Sequence, residues 1–260
     1  MGVASSESMT FTDGFKAEYF AYLARIEENN FWFCSRNRLI LWAIKRYFPG
    51  VSKFFEIGCG TGFVLSAVKK KFPHFLLYGG DIYTEGLKFA KERLGRALLL
   101  QIDGRKIPFE DEFDMIGAFD ILEHIKEDEL VLSQIYKALR KNGGLVLVVP
   151  QHNFLWSSFD EAACHLRRYN RDELVTKVER AGFQVIKTTS FVSLLFPLML
   201  ISRFMVKRRV LKDYDVMRTL EVNPVINTFL KSILDFERFL ISLGISFPFG
   251  GSLFLIAVKK

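Results

Sequence analysis

Two hydrophobic rhythms alternate between residues 53 and 191. Compact, mainly apolar runs occur at 53–57, 75–81, 97–102, 113–119 and 145–149, the signature of strands covered on both faces. Between them, near 62–71, 84–94 and 128–140, apolar residues recur at helical spacing, and Asn142-Gly143-Gly144 closes the last of these helices. Asn170 stands where a cap is expected, with Glu173 three positions on, and that helix closes at Ala181-Gly182. Phe183–Phe191 and Ser252–Lys259 read as two further strands. Strand and helix in succession predict a parallel sheet with helices on both sides.

Two helical patterns come first. One runs from about Phe15 to Ile26, with Tyr19, Leu23 and Ile26 on one face. After Asn29-Asn30 comes an aromatic knot, Phe31-Trp32-Phe33, and a second helix is expected from Ser35 to just before Pro49-Gly50. The bridge between the last two strands is the irregular part. It holds an apolar run from Phe191, interrupted by Pro197 and Arg203, then a basic cluster of Arg203, Lys207, Arg208, Arg209 and Lys212. A helix follows, with Asn223 at its cap, Pro224 in its first turn and an amphipathic stretch over 225–240, expected to pack on the body.

Composition sharpens this picture in three ways. Half of the 260 residues are hydrophobic and 27 are Phe, so a large core is expected and an intrinsically disordered chain is not. The net charge of +7 comes from 36 basic against 29 acidic residues that are mostly scattered, unlike the dense stripe of a nucleic-acid binder. Cys34, Cys59 and Cys164 are odd in number and lack metal-ligand spacing, so neither a disulfide framework nor a metal is expected. Met1–Thr12 lacks the apolar core of a secretory signal, and no run reaches the ~20 apolar residues of a membrane span. A cytoplasmic location is the expectation.

The chemistry concentrates in Phe54-Phe55-Glu56-Ile57-Gly58-Cys59-Gly60-Thr61-Gly62. A strand running into alternating glycines and then a helix lets backbone amides approach a ligand at a helix mouth. Asp81, at the end of the second strand, is placed to bridge two ribose hydroxyls. A dinucleotide fingerprint would need its third glycine at position 63, which is Phe63. The spacing therefore favours a mononucleoside with a charged tail over NAD.

These residues resemble the class I S-adenosylmethionine-dependent methyltransferases, over at least Phe54 to Phe183. Glu-Ile-Gly-Cys-Gly-Thr-Gly (56–62) is similar to the cofactor loop, and Gly80-Asp81-Ile82 to the ribose-binding strand end. Ile102-Asp103-Gly104, with Ile107-Pro108-Phe109 and Phe113-Asp114, is similar to the adenine cradle. Phe119-Asp120-Ile121-Leu122-Glu123-His124 and Leu139-Arg140-Lys141-Asn142-Gly143-Gly144 follow at family-like intervals. The resemblance implies a doubly wound, Rossmann-like α/β sheet of seven strands, the last antiparallel. It also implies that Gly58, Cys59, Gly60 and Gly62 hold the methionyl part and Glu56 organises its amine. Asp81 would take the ribose, Asp103 and Gly104 the adenine edge, Ile82 and Ile102 its faces, and Phe119 the sulfonium side. S-adenosylhomocysteine would be the product.

Acceptor groups should follow the carboxyl ends of the strands. His124 lies after the fourth strand, and His152 and His165 lie in the long, aromatic loop after the fifth. His165 or His152 is expected as a base, with His124 a further candidate. Arg36 and Arg168 are candidates for holding an anion, and Trp32, Trp156 and Tyr169 for contacting the acceptor. The knot ending in Arg36 and the His165-Leu166-Arg167-Arg168-Tyr169 run resemble one bacterial subgroup of these enzymes. The stretch Asp120-Ile-Leu-Glu123 differs from the polar-Pro-Pro-aromatic tetrad of base-amino methylation, which argues against a nucleic-acid acceptor.

The expected organisation is an N-terminal helical lid (1–50), a cofactor-binding core (51–190), a helical insertion or cap (191–250) and a final core strand (251–260). The expected function is methylation at oxygen of a small-molecule acceptor, a class that includes lipid-like ones. A non-catalytic cofactor-binding scaffold and an NAD-dependent oxidoreductase are the alternatives. For 191–212 the readings are peripheral membrane contact, a buried cap, or a homodimer surface.

Overall fold

The computed structural model describes residues 18–207 and 220–260. The first residues of the helix expected from Phe15, and the basic side chains from Arg203 to Lys212, lie outside what is described.

Seven strands form one sheet: β1 (Lys53–Ile57), β2 (Leu76–Asp81), β3 (Leu98–Gln101), β4 (Phe113–Phe119), β5 (Leu139–Pro150), β6 (Phe183–Phe191) and β7 (Ser252–Lys259). Their spatial order is β3-β2-β1-β4-β5-β7-β6. Neighbours are parallel from β3 to β5, whereas β7 runs antiparallel between β5 and β6. The order reverses between β1 and β4, where Ile57 pairs with Ala118. Such a reversal leaves a crevice beyond the strand ends, where α/β sheets bind ligands.

The helices are α1 (Glu18–Ile26), α2 (Phe31–Tyr47), α3 (Phe63–Lys71), α4 (Thr84–Leu94), α5 (Asp128–Ala138), α6 (Ser158–Ala162), α7 (Arg171–Arg180), α8 (Phe196–Lys207) and α9 (Pro224–Ser242). Adjacent strand residues serve opposite layers. Phe54 packs with Leu39, Ile40 and Ile44 of α2, Leu65 of α3 and Leu234 of α9. Phe55 packs on the other face with Val131 and Ile135 of α5 and with Leu174 and Val178 of α7.

Three boundaries differ from the expectation. The aromatic knot is the first turn of α2, because the Asn30 side chain accepts from the Trp32 and Phe33 amides at 2.9 and 3.4 Å. β5 begins at Leu139, which pairs with Phe113, so α5 ends at Ala138. Asn142, with φ of 64°, then lies inside the strand span. Asn170 occupies the cap position of α7 but its side chain makes no cap bond.

The bridge folds as helices on the body. Pro197 sits in the first turn of α8, where a missing N–H costs nothing. On α9, buried Glu237 accepts from the Ser193 amide at 2.8 Å and the Leu194 amide at 2.9 Å. Asn227 joins α9 to α2, accepting from the Phe31 amide at 2.7 Å and donating to Asn29 O at 2.8 Å. α9 is not wholly a packing helix: Phe229, Phe236 and Phe239 are exposed on its outer side. No helix among the described residues is long and apolar enough to cross a membrane.

Candidate active site

β1 delivers the chain into a loop in which Gly58, Gly60 and Gly62 have φ of 69°, 50° and 73°, conformations that disfavour side chains. Space is equally restrictive at two of them. A Cβ on Gly58 would lie 2.8 Å from Ile121, and one on Gly62 2.9 Å from the Ala90 backbone of α4. The Gly58 and Cys59 amides donate to Gly80 O on β2 at 2.8 and 3.0 Å. Asp81 accepts from the Gly60 amide at 2.8 Å and the Tyr83 amide at 2.9 Å. The acid thus shapes the loop while facing the crevice. Burial pushes its carboxyl up from the ordinary range. Glu56 is buried too, and one of its oxygens lacks a partner among the described residues. Burial pushes Glu56 well up, opposed by Arg36 and reinforced by Asp81.

A cavity of about 1490 Å³ spreads from this loop across the ends of β1 and β4. Glu56, Gly58, Cys59, Gly60, Asp81, Ile82, Ile102, Asp103, Gly104 and Phe119 line it, as do Trp32, Arg36, His124, His165 and Arg168. Gly62 stands behind the wall against α4. Asp103 is gripped by Arg105, whose Nη2 and Nε donate to Asp103 Oδ2 at 2.8 and 3.1 Å. Burial raises the Asp103 carboxyl, but the hydrogen bonds and charge of Arg105 win and hold it below its usual range.

The wall opposite the glycine loop is polar. His165 Nδ1 lies 2.9 Å from Asp160 Oδ1, leaving Nε2 3.9 Å from Glu123 Oε1. The His124 ring meets His165 edge-on, with centroids 4.8 Å apart. Burial and the neighbouring His165 push His124 down to about 3, so its imidazole is neutral near pH 7. Glu123 is fully buried and neither carboxylate oxygen has a hydrogen-bond partner among the described residues. Burial and the adjacent Asp120 push its carboxyl well up. Beyond this cluster the wall turns apolar, with Val192, Leu195, Leu198, Met199 and Leu230.

Several assignments change in the light of this geometry. Arg168 lines the cavity with its guanidinium engaged: its Nε and Nη2 donate to both Asp160 oxygens at 2.8 and 3.1 Å and its Nη1 to Gln151 O at 3.1 Å. Arg36 is ion-paired with Asp120 and lies over the Trp32 ring at 4.7 Å, while its buried Nε has no hydrogen-bond partner among the described residues. Tyr169 is not in the cavity wall: its hydroxyl, buried under the sheet ends, donates to Asp128 at 2.7 Å. His152 also lies outside the wall, stacked on Phe154 and Phe249 at 4.9 and 5.6 Å, and Trp156 is absent from it. Asp120, Glu123 and Arg105 were not singled out from sequence. Glu123 carried a signal in its place beside His124 after β4, but burial without partners is visible only in three dimensions.

Residues 55–147 match the family model described as Methyltransferase domain. The chain is 31% identical over 107 residues to the phosphatidylethanolamine N-methyltransferase of Cereibacter sphaeroides, covering 36% of this chain and 48% of that protein. It is 27% identical over 93 residues to the malonyl-[acyl-carrier protein] O-methyltransferase of Priestia megaterium, covering 35% and 34%. The chain therefore spans less than half the length of these curated relatives. Among solved structures it is similar to Haemonchus contortus phosphoethanolamine N-methyltransferase 2 in complex with S-adenosyl-L-methionine. There the TM-score is 0.58 at 20% identity, over 86% of this chain and 52% of that one.

Proposed function

We propose that this chain, a class I S-adenosylmethionine-dependent methyltransferase in fold and in its 55–147 domain, moves the sulfonium methyl group to a hydroxyl of a small amphipathic acceptor. The observation that carries the reading is the continuity of one cavity. It joins the glycine loop and Asp81 to the His165–Glu123–His124 cluster and then to an apolar wall. Its size of about 1490 Å³ exceeds the ~300–1,000 Å³ of a pocket for one small ligand, leaving room for cofactor and acceptor together.

In this reading the glycine loop and Glu56 hold the methionyl end, Asp81 the ribose, and Ile82 and Ile102 the adenine. A sulfonium is a good leaving group, so the protein's main task is to hold oxygen, methyl and sulfur in line. Such positioning lowers a barrier by ~7–11 kcal/mol. A hydroxyl must also lose its proton, which the polar cluster is placed to promote. Val192, Leu195, Met199 and Leu230 would receive the acceptor's apolar part. The exposed Phe229, Phe236 and Phe239 on α9 support an acceptor met at a membrane surface, as do the lipid- and acyl-directed names of the relatives.

Methyl-labelled S-adenosylmethionine incubated with the protein and a cell extract tests this. Label recovered in the organic-soluble fraction as a methyl ether, and lost with Asp81→Ala, is the expected result. Tight binding of S-adenosylhomocysteine with no transfer to any fraction would favour the non-catalytic scaffold instead.

A further inference from the structure

We propose that Glu123, His124 and His165 hold a divalent transition-metal cation that receives the acceptor's oxygen. The inference rests on the methyl-transfer reading only for what the cation does, and not for where it binds. One ligand atom from each of the three side chains lies within 4.8 Å of the others. A tetrahedral site with bonds of ~2.1 Å separates its ligand atoms by about 3.4 Å, so modest side-chain rotations close the cluster around an ion.

Three features beyond proximity point to a cation. Glu123 is 0% exposed, lines the cavity and has two carboxylate oxygens without hydrogen-bond partners among the described residues. A buried carboxylate left so is costly unless something positive completes it. His165 turns Nδ1 to Asp160 at 2.9 Å and Nε2 toward Glu123. This is the carboxylate–imidazole pairing that orients metal-bound histidines. Asp160 is itself fixed, accepting from Arg168 and from the Ser157 amide at 2.9 Å, so the support extends one shell further out. Among the described residues, Arg36 pairs with Asp120 and Arg168 with Asp160, and neither bonds to Glu123.

Two imidazoles and one carboxylate suit Zn²⁺, Mn²⁺, Fe²⁺ or Co²⁺ better than Ca²⁺ or Mg²⁺. Three protein ligands leave a coordination position open toward the cavity. A hydroxyl bound there becomes more acidic. Its proton passes to water, its oxygen pair forms the new C–O bond, and the C–S bonding pair stays on sulfur as the neutral thioether. The cation thus explains how a hydroxyl acceptor could react without a free base.

The test is titration of the full chain, stripped with chelator, with Co²⁺ followed by its visible ligand-field absorption. One Co²⁺ per chain is expected, with Zn²⁺ displacing it. Glu123→Gln and His165→Asn should each weaken binding at least about tenfold, and Asp160→Asn by about 10–100-fold through loss of orientation. S-adenosylhomocysteine affinity, measured on the same samples, should stay within about threefold, because none of the three ligands belongs to the loop. No stoichiometric Co²⁺ in the wild-type chain overturns the proposal, as does binding unchanged in both ligand variants. A wild-type chain that takes Co²⁺ at these residues but not S-adenosylhomocysteine would uphold the cation site and sink the methyl-transfer reading.

Discussion

Asp81 combines two tasks in one carboxylate: it fixes the Gly60 and Tyr83 amides and faces the cavity where a ribose would lie. Removing its charge should loosen the loop and remove a ligand contact together. Charge-assisted hydrogen bonds contribute ~1.5–3 kcal/mol, so Asp81→Asn should weaken S-adenosylhomocysteine binding by about 10–100-fold in calorimetry. An affinity within threefold of wild type would show that the acid does not touch the ligand. This residue was legible in the sequence because its meaning is local: an acid ending the second strand after a glycine loop. Glu123 was not, because much of what surrounds its side chain comes from far along the chain. His165 lies in the loop after β5, and Asp160 and Arg168 reach it only once that loop folds back over β4. The bonding of Arg168 is read from the fold for the same reason, since only the folded loop brings both Asp160 oxygens to its guanidinium.

At the scale of elements, the glycine loop works because α3 and α4 press against it. Gly62 has φ of 73°, and an added Cβ would meet the Ala90 backbone at 2.9 Å. Gly62→Ala should therefore cost roughly 1–3 kcal/mol of stability, read as a lower urea midpoint, and should weaken cofactor binding as well. A different contact ties β1 to β4: Asp114 accepts from the Ser52 and Lys53 amides at 2.9 and 2.8 Å and from Arg140 at 2.9 Å. These bonds overcome burial and hold its carboxyl at about 2, below the ~3.9 of an unfolded chain. Its contribution is then fully present above about pH 4 and lost as pH falls toward 2. Asp114→Asn should flatten the acid side of the stability curve in that window, as read by thermal melts. A curve parallel to wild type would exclude this role. The strands were legible from their apolar runs. The start of α2 was not, because an aromatic triplet has no helical rhythm of its own, and Asn30 makes it a first turn by taking two amides. β5 started early because pairing of Leu139 with Phe113 extends the strand through residues that read as a turn.

Across the whole molecule, the sheet order places the glycine loop beside the end of β4, and the bridge between β6 and β7 returns over the same end. Parallel strands joined by helices predict that crevice from sequence alone. The bridge's fate was less legible, since apolar stretches serve a cap, a dimer or a membrane equally well. Glu237 decides its course here by binding the Ser193 and Leu194 amides. Glu237→Ala leaves those groups unmatched and should lower stability by about 1–3 kcal/mol, measured by urea unfolding, while an unchanged midpoint would mean the cap is held by packing alone.

The central claim is that the space over β1 and β4 takes an adenosyl sulfonium. Calorimetry of the wild-type chain with S-adenosylhomocysteine tests it most directly. The account expects saturable one-to-one binding that Asp81→Ala abolishes and that NAD does not reproduce. No heat of binding from S-adenosylhomocysteine or S-adenosylmethionine, or stronger binding of NAD, would contradict it.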